Sequence, residues 1–263
     1  EEKINDAIKP NFIIHNTTPN KIKILIAGCG TGQHILNTQS YKNAQITAID
    51  ISLSSLSYAQ RKINELGINN VELIQMDILE VSLLSEKFDI IESSGVLHHM
   101  KDPSKGLSAL LKVLKENGFL KLGLYSQTAR TNIIQAREYI TNNNLQPNVK
   151  DIRAFRDDVL SGKIKEVSHI KDFPDFYTMS ECRDLCFHVQ EHRFTITKLK
   201  EILDSNELKF LGFQLPLEIK SLYNNYFPKD KKQINLQNWS DFEEKHPNTF
   251  IGMYQFWVCK KKA

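Results

Sequence analysis

Between Ile24 and Tyr125, short and mainly apolar runs alternate with stretches whose apolar residues recur every three or four positions. The runs Ile24 to Ala27, Ile46 to Ile49, Val71 to Met76, Phe88 to Ser93 and Phe119 to Tyr125 each suit one buried strand. A helix-like segment begins at about Gln33. Leu53, Leu56, Ala59, Ile63 and Leu66 keep helical spacing behind Ser52 or Ser54 as cap, and Gly67 is the left-handed stop. Asp102-Pro103 open another helix, with Leu107, Leu110, Leu111 and Leu114 on one face and Gly118 at its end. Strands separated by helices predict right-handed crossovers and a parallel sheet.

Beyond Ser126 the alternation stops. Residues 127–194 read as several polar helices around Pro147 and Pro174, with no evident buried strand. Regularity returns with a helix from Thr197 to Asn206 and a strand from Leu208 to Phe213. A polar and aromatic stretch, 215–248, precedes a long apolar strand from Phe250 to Cys259. Residues 1–20, with Pro10 and Pro19, read as a short helix and a loop.

Bulk properties narrow the class without naming a chemistry. At 263 residues the chain suits one large α/β domain or a domain with an inserted lobe. A net charge of +3 is too small to point to a nucleic acid or a membrane surface. The four cysteines, Cys29, Cys182, Cys186 and Cys259, are too few for a disulfide framework, which fits a reducing, cytoplasmic setting. No apolar run reaches the roughly 18 to 20 residues of a membrane span, and no secretory signal is present. The chain begins Glu1-Glu2-Lys3 without a methionine, as a piece of a longer protein would.

The first strand runs straight into Gly28-Cys29-Gly30-Thr31-Gly32-Gln33. Glycines at every second position allow a sharp turn and leave no Cβ in the way of a ligand, while the following helix start offers backbone N–H groups. Asp50 ends the second strand, where an acid can accept hydrogen bonds from both hydroxyls of a ribose. Strand, glycine turn, helix, strand and acid make a nucleoside-binding half-sheet. A dinucleotide fingerprint would place a third glycine where Gln33 stands, and Asp77, at the end of Leu73-Ile74-Gln75-Met76-Asp77, is a second acid. Both features disfavour a nucleotide-binding oxidoreductase.

Taken with Phe88-Asp89-Ile90-Ile91-Glu92-Ser93-Ser94-Gly95-Val96-Leu97-His98-His99-Met100, this series resembles the class I S-adenosylmethionine-dependent methyltransferases, in the branch of ubiquinone and menaquinone biosynthesis. The resemblance covers roughly residues 20 to 126. It implies a Rossmann-like α/β sheet of seven strands in the order 3-2-1-4-5-7-6, strand 7 antiparallel. The core is then 21–126 with 195–263, the leader 1–20, and the helical insertion after strand 5, residues 127–194, roofs the pocket. It also implies S-adenosylmethionine as cofactor and S-adenosylhomocysteine as product. Gly28, Gly30 and Gly32 then lie against the methionine part. Asp50 and Ile51 serve the ribose and its neighbourhood, Asp77 and the backbone of Ile78 hold the adenine, and Ser94 and Gly95 meet the methionine moiety. Relatives often carry an acid or amide at Ser94 and Gly95, so no catalytic carboxylate is expected in that loop. Glu92 reads as a strand residue paired with a neighbour.

Candidates for handling the acceptor are His98, Tyr125, His188 and His192; a histidine titrates near neutrality, although a buried structural role is the favoured reading for either residue of the His98-His99 doublet. Ser180 suits an N-cap, with Glu181 and Asp184 in the first turn. Helical spacing from there puts Asp184, His188, Glu191 and His192 on one face, and Cys182, Leu185, Cys186 and Val189 on the other. That split separates cysteines from histidines, so no metal is expected. Arg130, Arg137, Arg153 and Arg156 suit either scattered surface positions or an acidic substrate group. Tyr125-Ser126, Ala129-Arg130, Asp151-Ile152-Arg153 and the Asp172 to His192 stretch resemble bacterial methyltransferases attached to tetratricopeptide repeats. That implies a substrate lobe and an N-terminal repeat region in a longer chain. The expected function is methylation of a small-molecule or peptide nucleophile, N- or O-methylation favoured, with no nucleic-acid or membrane partner. A non-catalytic cofactor-binding or assembly module is the competing reading.

Overall fold

The computed structural model describes residues 2–13, 21–187 and 191–261. Seven strands form one sheet: β1 (Ile22–Ala27), β2 (Ala44–Asp50), β3 (Val71–Gln75), β4 (Phe88–Ser94), β5 (Leu114–Tyr125), β6 (Leu208–Phe213) and β7 (Met253–Lys260). Their order is 3-2-1-4-5-7-6. β1 to β5 pair in parallel, and β7 enters antiparallel between β5 and β6. The first five strands begin or end within a few residues of their expected limits; the central ones, covered on both faces, must be apolar nearly throughout, while β3 at the edge keeps Glu72 and Gln75 exposed.

Alternation along β1 divides the core in two. Ile24 and Ile26 face one cluster and Leu25 and Ala27 the other. On the first face lie α1 (Glu2–Ile8), α2 (Gln33–Thr38) and α3 (Leu53–Glu65), through Ile4, Ile8, Ile35, Leu56, Ala59 and Ile63. The opposite face carries α4 (Pro103–Val113), α8 (Ile196–Ser205), α9 (Leu217–Tyr226) and α10 (Leu236–Lys245). Caps fall where the residue types favour them: Ser52 accepts from Ser55 N–H, and Asp102 from Ser104 and Lys105 N–H.

Between β5 and α8 come α5 (Thr131–Asn142), α6 (Val149–Leu160) and α7 (Met179–Cys186), with short 3-10 turns at 165–172 and 174–177. They pack around Ile133, Ile152, Phe155, Phe176 and Cys182, a cluster distinct from the two that flank the sheet.

Five expectations need correction. α4 stops at Val113 rather than at Gly118, and Leu114 already pairs with Phe88. The register then jumps to Ile90–Phe119, so residues 115–118 bulge from the strand and Gly118 belongs to that bulge. Thr178, not Ser180, caps α7 by accepting the Glu181 N–H. α7 ends at Cys186, so Glu191 and His192 share no helix face with Asp184. Residues 215–248 contain two helices, whose few apolar positions (Tyr223, Leu236, Trp239, Phe242) cover the sheet. The last strand begins at Met253; Phe250 is buried ahead of it. No helix among the described residues is long and apolar enough to cross a membrane.

Candidate functional site

The glycine turn sits at the carboxyl end of β1 and is stitched to the end of β2. Gly28 and Cys29 N–H both donate to Ile49 O, at 2.9 and 3.0 Å. Asp50 completes the clasp: Oδ2 accepts the Gly30 N–H at 2.7 Å and Oδ1 the Ser52 N–H at 2.9 Å. Each carboxylate oxygen keeps a second lone-pair direction for a ligand hydroxyl. Gly28 has φ 83°, and a Cβ there would fall 2.3 Å from Val96 Cγ2. Gly30, at φ 51°, has nothing within 4 Å of an added Cβ, so it fronts open space. Gly32, at φ 99°, packs on Ala59 and leads into α2. Only glycine meets these demands without strain.

Beside Asp50, Ile51 is 69% exposed, an apolar surface next to a carboxylate. Asp77 Oδ1 accepts the Leu79 N–H at 2.9 Å, and Ile78 is buried next to it. Ser94 turns its hydroxyl across Gly123 to Met253 Sδ at 3.5 Å. Gly95, at φ 81°, donates its N–H to Gly123 O. Cradle, acid, apolar shelf and second acid thus lie along the carboxyl ends of β1, β2, β3 and β4. These residues fit a nucleoside with an attached amino acid. Glu92 is spent elsewhere: buried in β4, it accepts the Tyr41 hydroxyl at 2.8 Å, with Lys121 at 3.9 Å.

A second group of candidates gathers where β5 hands over to α5. The His98 ring, 0% exposed, stacks on Tyr125 at 3.6 Å, and the Arg130 guanidinium lies 3.6 Å from the same ring centre. At those distances the two occupy opposite faces of the phenol ring. His99 meets both His98 and Tyr125 edge-on. His192 N–H donates to His98 O at 2.8 Å, bringing two sequence candidates 94 positions apart into register. His188 lies outside the described residues. Burial, foremost, raises the Tyr125 phenol above its ordinary range; Arg130 opposes this, and Glu191, Asp175 and Asp184 reinforce it. Tyr125 is therefore a protonated donor at neutral pH.

Arg130, Arg137 and Arg156 are not a free substrate clamp. Arg130, 3% exposed, forms a two-pronged pair with Glu191, Nε to Oε1 at 3.1 Å and Nη2 to Oε2 at 2.8 Å. Arg137 adds a bond to Glu191 Oε2 at 2.9 Å. Arg156 donates to Tyr177 O. This buried triad was not legible in sequence, since 61 residues separate Arg130 from Glu191. Asp175 was also missed as a distinct group; desolvation, then Glu181, raise its pKa. Among the described residues, no three His, Cys, Asp or Glu side chains converge as a metal site.

The family described as "Methyltransferase domain" matches residues 19–206. The chain is 31% identical over 202 residues to an uncharacterized protein of Synechococcus sp., covering 73% of this chain and 48% of that one. It is 33% identical over 106 residues to the malonyl-[acyl-carrier protein] O-methyltransferase of Acetivibrio thermocellus, covering 40% of this chain and 36% of the enzyme. The chain thus spans about half, or less, of these relatives. In fold it is similar to PKMT2 from Rickettsia typhi in complex with AdoHcy, with a TM-score of 0.71 at 20% identity, covering 99% of this chain and 52% of that one.

Proposed function

We propose, from the premise that this chain belongs to the methyltransferase-domain family of class I S-adenosylmethionine-dependent enzymes, that it methylates a nitrogen or oxygen of a small-molecule or peptide acceptor beneath residues 127–194. S-adenosylmethionine supplies a sulfonium methyl already activated for displacement. The chain's own residues bind and position. Gly28, Gly30 and Gly32 take the methionine part, with Ser94 and Gly95 closing its far side. Asp50 receives the ribose hydroxyls, Ile51 offers an apolar face to the adenine, and Asp77 and the Ile78 backbone read its edge. The observation that carries this reading is the Asp50 clasp on Gly30, which aims a carboxylate and an open glycine cradle at one space.

On the acceptor side, Tyr125 is held between His98 and Arg130 and donates a hydrogen bond that orients the nucleophile. His98 is sealed from solvent, so its role is to position Tyr125. His188 and His192 are the candidates for taking the acceptor's proton.

Calorimetric titration with S-adenosylhomocysteine tests the cofactor half. Micromolar-range binding is expected, weakened by at least about tenfold in Asp50→Ala. A folded protein that binds no S-adenosylhomocysteine would overturn the reading, and binding of NAD in its place would revive an oxidoreductase.

A further inference from the structure

At the β6 edge of the sheet, across three intervening strands from the glycine turn, the turn after α1, α9 and the loop before α10 border an open groove of about 650 Å³. Lys9, Lys220, Lys231, Ser221, Asn224 and Gln233 line it, and none of its lining residues is acidic. Lys220 is only 6% exposed. Its ammonium donates to Ala7 O at 2.8 Å, at the carboxyl end of α1. That bond uses one of three N–H groups and neutralises no charge. A buried ammonium without a counter-ion is costly, and burial, with Lys9 second, lowers its pKa to about 8. Two carboxylates on the adjoining segments are engaged elsewhere: Asp6 pairs with Lys9 at 2.8 Å, and Asp230 accepts the Tyr223 hydroxyl at 2.6 Å and two backbone N–H groups.

Gln233 is the independent second observation. It is 5% exposed and left-handed, with φ 55°. Three bonds hold it there: its N–H to Asp230 O, the Trp239 indole N–H to its carbonyl, and its Nε2 to Lys220 O. Its Oε1 is buried and has no partner among the described residues. Such an acceptor requires a donor, and backbone strain of this kind persists only where its surroundings enforce it.

We propose that this pocket binds a hydrogen-bearing phosphate, free or carried on a small hydroxylated molecule. The three ammonium groups take the anionic oxygens, and the ligand's own O–H satisfies Gln233 Oε1. Sulfate has the same shape but no proton at neutral pH, so it leaves that acceptor unmet. Bound anion also ties α9 and its lysine to α1.

The test titrates the full chain with sodium phosphate, glycerol phosphate and sodium sulfate at pH 7 and fixed ionic strength, following heat and melting temperature. Phosphate is expected to bind and to raise the melting temperature, with sulfate about fivefold weaker for want of one hydrogen bond. Glycerol phosphate binding more tightly than phosphate would identify an ester as the ligand; the reverse order identifies the free ion. Lys231→Gln, at an exposed position, is expected to weaken phosphate about tenfold without changing the fold, and Lys220→Met to abolish binding. Phosphate binding should weaken as pH rises past Lys220's value. Absence of binding, equal binding of phosphate and sulfate, or indifference to Lys231→Gln would each overturn the proposal and leave Lys220 as the cap of α1 alone.

Discussion

Gly28 and Gly30 share a turn and a left-handed backbone, yet they face different constraints. A methyl at Gly28 collides with Val96 and also sits on a backbone that costs about 1–2 kcal/mol for any other residue. At Gly30 only the backbone cost applies, because the added methyl meets open space. Gly28→Ala should therefore lower the melting temperature markedly, whereas Gly30→Ala should lower it less, by the backbone cost alone. Both should lose S-adenosylhomocysteine affinity, and Gly30→Ala isolates the effect on the cradle. Thermal melts run beside calorimetry check this; Gly30→Ala binding like wild type would remove the cradle from the site. Tyr125 gives a second contrast. Tyr125→Phe keeps the ring between His98 and Arg130 but deletes the hydroxyl. Cofactor affinity and stability should hold while turnover on an identified acceptor falls by about tenfold or more. Unchanged turnover would reduce Tyr125 to packing.

The Arg130–Glu191–Arg137 group fastens the chain leaving α7 to α5. The Glu191 side chain is 2% exposed, and removing it takes the carboxylate partner from two guanidinium groups, one of them buried. Breaking such a pair costs about 3–5 kcal/mol. Glu191→Ala should open α5 to α7 to proteases and hydrogen exchange well before β1 to β4 lose protection. Arg137→Gln should be milder, since Arg137 is 22% exposed. Loss of protection across the sheet at the same time would make insertion and core one cooperative unit. The same triad marks the limit of what a sequence shows. β1, β2 and β4 were legible because central strands buried on both faces leave mainly apolar runs, and the glycine turn because its backbone admits few other residues. The helices α9 and α10 were not, since each covers the sheet with only a few apolar side chains among polar ones. Helical spacing carried past Cys186 put Glu191 on a helix face with Asp184, His188 and His192, whereas the chain leaves the helix there and tertiary pairing with Arg130 buries its side chain. Local periodicity holds no information about a partner 61 residues away.

Sheet, α10 and insertion meet at one carboxyl group. Glu243 of α10 is 5% exposed and accepts the hydroxyls of Tyr254 on β7 and Ser126, and Ser126 in turn receives the Ala129 N–H at the start of the insertion. Burial raises the Glu243 pKa, and the two hydroxyl donors only partly offset it. The folded pKa thus lies above that of the unfolded chain, near 4.3. Stability from this residue is greatest below the unfolded value and declines as pH rises through the folded one, because folding then confines a charge among neutral partners. Glu243→Gln removes the ionisation but keeps an acceptor for one hydroxyl. Melting temperatures of the two proteins, compared from pH 4 to neutrality, should converge or favour wild type at the acid end. They should then shift steadily in favour of the variant as pH rises, and level off once wild-type Glu243 is ionised. A difference constant across that window would mean that the carboxyl titrates alike folded and unfolded. At neutrality the joint between sheet and insertion would then carry an ionised Glu243 whose burial the Tyr254 and Ser126 hydroxyls offset in full.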